Sequence, residues 1–211
     1  MRAIRLAVVA GALAIVLASC GDESSGPDRL YAYGHSWVAG RTPDPAVEPW
    51  PARVADALDE PGENRGLPAA ESPAIADQVV AADHACGDVV VLEPVLNDVR
   101  RWGEDDDGLE RFRSGLRRML DHLDDAEVVV VVDPPIPGWS LVPPYDHGSD
   151  AALARYRDVV DEEVTDEEVV DLADGWTPDL MSPDGIHPNE AGTARIADAV
   201  ADAVRRLRPS C

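Results

Sequence analysis

The chain has 211 residues, which suits one domain, and 45% of them are hydrophobic, enough to bury a core. Its formal charge is −23, from 41 acidic residues against 18 basic ones, and every basic residue is an arginine. A surface of that sign excludes nucleic acid as a partner and repels anionic headgroups.

Residues 1–19 read as a secretion signal. Arg2 and Arg5 precede an apolar run from Leu6 to Ala18, and "LASC" closes it. The run is shorter than the roughly 18 to 20 residues needed to span a bilayer. It is similar to a bacterial lipoprotein signal, which implies cleavage before Cys20 and a lipid on that cysteine. Residues 20–28 then form a polar tether that holds a 29–211 domain at a membrane surface outside the cytoplasm. Losing the signal leaves 16 arginines against 41 acids, a balance of about −25.

Beyond the tether, strand and helix signals alternate. Apolar, β-branched runs at 29–34, 88–94, 127–133 and 167–173 predict strands, and 63–68 is a weaker fifth candidate. Helical periodicity covers 49–58, 72–86, 109–123, 150–164 and 189–207. Near-continuous valine suits strands covered on both faces. Five strands alternating with five helices predict an α/β fold, a three-layer α/β/α sandwich around a five-stranded parallel sheet.

Such sheets bind ligands at the carboxyl ends of their strands. The segments there are "YGHSWVAG" with Ser36, "NRGLPAAES", "VLNDVRRWG" with Asn97, and "MSPDGIHPNEAG" with Asp184 and His187. Together they offer a hydroxyl, small-residue backbone donors, a side-chain amide and an Asp/His pair. Serine becomes a nucleophile when an imidazole takes its proton and a carboxylate orients that imidazole. The Asn97 amide adds a donor for a developing oxyanion. Pro188 fits the first turn of the last helix.

These four segments, in this order, resemble the blocks of the SGNH (GDSL) hydrolases over nearly the whole domain. "DGIHP" is the most specific match and "NRGLPAAES" the weakest. The resemblance implies a flavodoxin-like sandwich with Ser36 as nucleophile, His187 as base and Asp184 as its orienting acid. Ser36, Ala69 and Asn97 would supply the oxyanion donors, with Gly66 as the alternative to Ala69, and no metal or other cofactor is expected. Three departures stand out. His35 replaces the aspartate before the serine, Ala69 a glycine, and Val95 a further glycine.

Other residues admit two readings. His35, beside Ser36 on an extended strand, points to the opposite face and is not expected to be the base. His147 is the rival base, whereas His84 and His122 are expected to face solvent. His35, His147 and the acids show no recognisable metal-ligand spacing. Trp37, Trp102, Trp139 and Trp176 each follow a strand, so they either pack loops or line a substrate cleft. Arg100 and Arg101 are candidates for an anionic substrate or for surface ion pairs. Asp98 is expected to be structural. Cys86 precedes a strand at the edge where the last helix ends, so a Cys86–Cys211 disulfide is expected.

The expected activity is that of a monomeric serine esterase, membrane-tethered through Cys20, acting on a small-molecule or glycan ester. An O-acetylesterase of cell-envelope or plant polysaccharide is the near alternative. An inactive relative that binds glycans is the other.

Overall fold

Valine runs that can bury both faces occupy the middle of the sheet. In the computed structural model, which describes residues 29–139, 142–165 and 167–207, β3 (Val89–Glu93) is buried along its whole length. β4 (Glu127–Val132) is buried after its first residue. With β1 (Leu30–Gly34), β2 (Gly62–Gly66) and β5 (Glu168–Asp171) they form a sheet of order β2-β1-β3-β4-β5, and every pair is parallel.

Helix α1 (Trp50–Leu58) packs on α6 (Glu190–Leu207), while α2 (Ser72–Val80), α4 (Asp106–Leu120) and α5 (Asp150–Glu163) pack side by side. The α/β sandwich expected from the sequence is the fold observed.

The edge strand β2 reads "GENRG" and is largely exposed, which is why its sequence signal is weak. Glycine is required at Gly66 by a close approach: a Cβ there would lie 2.2 Å from the backbone nitrogen of Ala39, just past the Ser36 turn.

Three local expectations need correction. The helical pattern at 72–86 stops at Val80, because Asp88 captures the backbone N–H groups of Ala85 (2.7 Å) and Arg29 (3.0 Å) and draws the segment into a tertiary turn. His84 therefore lies in a loop, half-buried, with a ring nitrogen 3.1 Å from the Tyr33 hydroxyl. His122 is exposed as expected. Second, the segment after β3 is a helix, α3 (Leu96–Trp102), too short to show a period. Third, α6 begins at Glu190, and Asn189 rather than Pro188 serves its first turn, accepting from Gly192 N–H at 3.1 Å. Residues 1–28, with Cys20, and residues 208–211, with Cys211, lie outside the described residues.

Asp98 joins α3 to the start of α2. It accepts from Ser72 N–H and from Ser72 Oγ, both at 2.7 Å, with no exposure to water. Burial pushes its carboxyl up to about 7 against the pull of those two bonds. A raised carboxyl favours the protonated form in the fold. Its contribution to stability is therefore full below the ordinary value of about 3.9 and fades as pH rises to 7. Asp98→Asn should remove this slope. Chemical denaturation of the variant is expected to depend less on pH between about 4 and 7 than that of the wild type.

Candidate active site

β1 ends at Gly34, where a Cβ would sit 2.7 Å from the Glu93 carbonyl, so β1 and β3 run close together. The chain then turns at once: Arg41 N–H donates to Ser36 O at 2.8 Å, and Ala39 N–H to His35 O at 3.1 Å. Ser36 is left at the carboxyl edge of the sheet, 9% exposed.

The loop before α6 is closed on itself. Met181 bridges Pro188, Ser182 N–H donates to His187 O at 2.7 Å, and Gly185 takes a φ of 66°. Inside it, Asp184 Oδ1 accepts from the backbone N–H groups of Ile186 (2.9 Å) and His187 (3.0 Å), while Oδ2 accepts from His187 Nδ1 at 2.7 Å. Partial burial raises the Asp184 carboxyl, but these bonds outweigh it and hold it below the usual range. With the proton on Nδ1, Nε2 faces Ser36 Oγ at 3.1 Å and accepts its hydrogen. The structure thus brings Ser36, His187 and Asp184 into one line. His147 is elsewhere, on the surface 3.6 Å from Asp146.

The turn that carries Ala69 is joined to the end of β1 by Leu67 N–H to Gly34 O at 2.8 Å. Leu67–Ala70 forms a turn closed by Ala70 N–H to Leu67 O at 3.0 Å, with Pro68 second and Ala69 third at a φ of 63°. That is the pattern of a type II turn, whose third position favours glycine. Ala69 therefore adopts the conformation of the glycine it replaces. Its N–H and that of Ser36 donate to no described residue. Asn97, near the start of α3, spends one amide hydrogen on Ala70 O at 2.8 Å and keeps the other. Val95 is at φ −85°, a region open to any residue, so losing that glycine costs nothing. Gly66 is not the alternative donor, because its N–H is held by Asn64 Oδ1 at 2.9 Å.

His35 points inward and is fully buried, as are Glu93 and Asp133. His35 Nε2 stands 3.2 and 3.4 Å from the two oxygens of Asp133, and Trp37 N–H donates to His35 Nδ1 at 3.3 Å. The ring proton is therefore on Nε2, facing Asp133. Burial and the neighbouring Asp133 push the Glu93 carboxyl well above the usual range, against the hydrogen bond from the Trp50 indole at 3.3 Å. Among the described residues, these three form the group of His, Cys, Asp or Glu side chains close enough to share an ion. The His35 tautomer turns no lone pair toward it. The sequence reading missed this cluster, because Glu93 and Asp133 close two separate strands and only the sheet order places them beside His35.

Of the two readings of the tryptophans, loop packing describes most of them. Trp37 is 1% exposed, stacks on Trp176 with ring centres 5.7 Å apart, and donates to Ile186 O at 3.0 Å. Trp139 is buried and bonded to Asp150, and half-buried Trp102 to Glu71. Trp176 lines a groove of about 320 Å³ with Pro135, Pro137 and Met181. A larger apolar groove of about 760 Å³ flanks the catalytic loop between Pro45, Val47, Pro183 and Ala194 and has no tryptophan in its wall.

A hydroxyl, an imidazole and a carboxylate in line beside unspent N–H donors are the equipment of a serine-dependent acyl hydrolase. The model of the GDSL-like lipase/acylhydrolase family matches residues 32–195, and the chain belongs to that family of carboxylic ester hydrolases. No curated protein matches the chain. Among solved structures, it is similar to Est24, a carbohydrate acetylesterase from Sinorhizobium meliloti. The TM-score is 0.67 and the identity 18%, covering 85% of this chain and 99% of that one. A lipase/acylhydrolase from Enterococcus faecalis compares at TM-score 0.67 and 16% identity, over 87% and 99% of the two chains. A lipolytic G-D-S-L family member from Veillonella parvula compares at 0.64 and 14%, over 85% and 99%.

Ala69 carries the strain of a left-handed conformation, about 1–2 kcal/mol, and glycine there would lose about 0.5–1 kcal/mol more chain entropy on folding. Ala69→Gly is expected to equal or slightly exceed wild-type stability. Ala69→Val, β-branched at positive φ, should fall below it by more than about 1 kcal/mol. Urea midpoints of the three proteins check this order.

Proposed function

We propose that the protein is an extracytoplasmic, membrane-tethered serine esterase that works through an acyl-enzyme on Ser36. The observation that carries this reading is the 3.1 Å approach of His187 Nε2 to Ser36 Oγ, with Asp184 2.7 Å from the other ring nitrogen. Ser36 Oγ attacks the ester carbonyl carbon as His187 Nε2 takes its proton. The oxygen that becomes negative is met by Ser36 N–H, Ala69 N–H and the free Asn97 amide hydrogen. Collapse of the tetrahedral intermediate breaks the ester C–O bond, and His187 returns the proton to the leaving alcohol. Water, deprotonated by the same imidazole, then releases the acid and restores Ser36. Asp184, kept ionised by the N–H groups of its own loop, supports the imidazolium formed at each step.

A narrower reading takes the substrate to be O-acetyl groups on cell-envelope or plant polysaccharide. The likeness to the Sinorhizobium carbohydrate acetylesterase supports it. Retention of Ser36, His187, Asp184 and Asn97 speaks against a glycan-binding relative without turnover, because binding alone requires no such set. The tether would be the lipid on Cys20 and the domain would act as a monomer. Cys86 would pair with Cys211, whose loop closure contributes up to roughly 4 to 5 kcal/mol in the chain-entropy model.

Hydrolysis of p-nitrophenyl acetate and longer-chain esters by the domain without its signal and Cys20 tests the reading. Ser36→Ala and His187→Ala should each lose at least about 10³-fold in kcat, and Asn97→Ala about 10²- to 10³-fold. Wild-type silence on all esters, acetylated glycans included, would sink it. A sharp preference for acetyl over longer chains would favour the narrower substrate. For the cysteines, the same domain, denatured without reductant, should offer no thiol to a labelling reagent. Two equivalents of label would refute the pairing.

A further inference from the structure

On a chain this acidic, arginines find carboxylates. Arg53 pairs with Glu190 at 2.8 Å, Arg118 with Asp77 at 2.6 Å and Arg157 with Asp171 at 2.9 Å. Arg100 forms no ion pair among the described residues, although it is only 7% exposed and its Nε is buried with no acceptor. A guanidinium taken out of water without an anion or a full set of acceptors is among the more expensive things a fold can bury. Such violations collect at functional sites.

The surroundings of Arg100 lie on both sides of the catalytic line. It is one turn of α3 beyond Asn97. Its guanidinium carbon stands 5.7 Å from the centre of the Tyr145 ring, and the Tyr145 hydroxyl donates to Ala69 O at 3.0 Å, on the oxyanion turn. Burial lowers its basicity, while Tyr145 and Asp184 raise it, so Asp184 is the acid whose charge reaches it. The guanidinium nonetheless stays charged. Its backbone is held from behind, with His147 N–H bonded to Arg100 O at 3.0 Å and Gly148 packed so closely that a Cβ would sit 3.2 Å from Arg100 Cα. Neighbouring Arg101 spends its charge on ring faces, 5.5 Å over Trp102 and 6.0 Å over Tyr145.

The geometry points to Arg100 as an anchor for an anionic group on the substrate, a carboxylate carried by either the acyl or the alcohol part of the ester. A planar fork with unspent donors matches a carboxylate through two parallel N–H···O bonds. At a side chain only 7% exposed this local attraction outweighs the long-range repulsion of an acidic surface. The inference rests on the esterase reading and narrows its substrate class.

Two ester pairs test it. Mono-p-nitrophenyl succinate against p-nitrophenyl butyrate places the charge on the acyl side, and O-acetylated glucuronic acid against O-acetylated glucose places it on the alcohol side. In wild type, the anionic member of one pair should show the higher kcat/KM, and that pair identifies the side. In Arg100→Gln the anionic-to-neutral ratio should fall about 10- to 100-fold, with Arg100→Lys recovering part of it. Because the ratio is taken within one protein preparation, loss of folded material cancels. If Arg100 only supports Asp184, both members of each pair drop together and the ratio holds, which overturns the inference. Turnover by wild type without charge preference overturns it too and leaves the esterase reading standing. Silence on all four esters overturns both.

Discussion

The contact of Trp37 with the loop before α6 holds the site together. Ser36 and His187 are 151 residues apart in sequence, and each belongs to a segment that could close on itself without the other. The Trp37 indole crosses between them, bonded to Ile186 O and stacked on Trp176, with almost no exposure to water. A buried aromatic of this size contributes much of its apolar area to stability, and its N–H needs a buried acceptor. The residue after the nucleophile and the residue before the base are thereby fixed to each other. The 3.1 Å spacing of Oγ and Nε2 follows from a core contact rather than from the weak hydrogen bond itself.

Beneath this edge, charge is handled in two different ways. His35 and Asp133 are fully buried, and Glu93, pushed toward its neutral form, joins them. Because Trp37 N–H holds His35 Nδ1, the imidazole that stands in the family's aspartate position turns Nε2 toward Asp133 as a donor. It ties the nucleophile turn to Asp133, just past the end of β4. On the other side of the line, Arg100 is buried with its Nε meeting no acceptor among the described residues. In the first arrangement the buried groups face one another within the chain, and in the second the charge is left to be met by whatever enters.

The departures differ in their physical cost. Val95 occupies a region of φ that any residue adopts and only fills space in the core. Ala69 is held at a φ of 63° by its turn, where Pro68 presets the preceding residue. The backbone donor expected of a glycine is kept at the expense of strain, which suits a turn braced from outside by the Tyr145 hydroxyl on Ala69 O.

By itself the sequence determined the sheet, every α-helix but the short α3, and the four segments that carry the site. Valine runs, helical periodicity and Pro/Gly punctuation are local signals, and the carboxyl ends of parallel strands share one edge whatever their order. The Asp184–His187 pair was legible for the same reason, being three residues apart on one loop. Only the tertiary structure decided what lies between segments. The stop of α2 at Val80 depends on Asp88, and the exposure of the tryptophans depends on which loops cover them. The grouping of His35 with Glu93 and Asp133 depends on β1, β3 and β4 being neighbours. Arg100 shows the distinction most plainly: two adjacent arginines read alike in a sequence. Whether one is a solvated surface charge or an unpaired buried one is set by residues far along the chain, because burial and pairing belong to contacts and not to residue type.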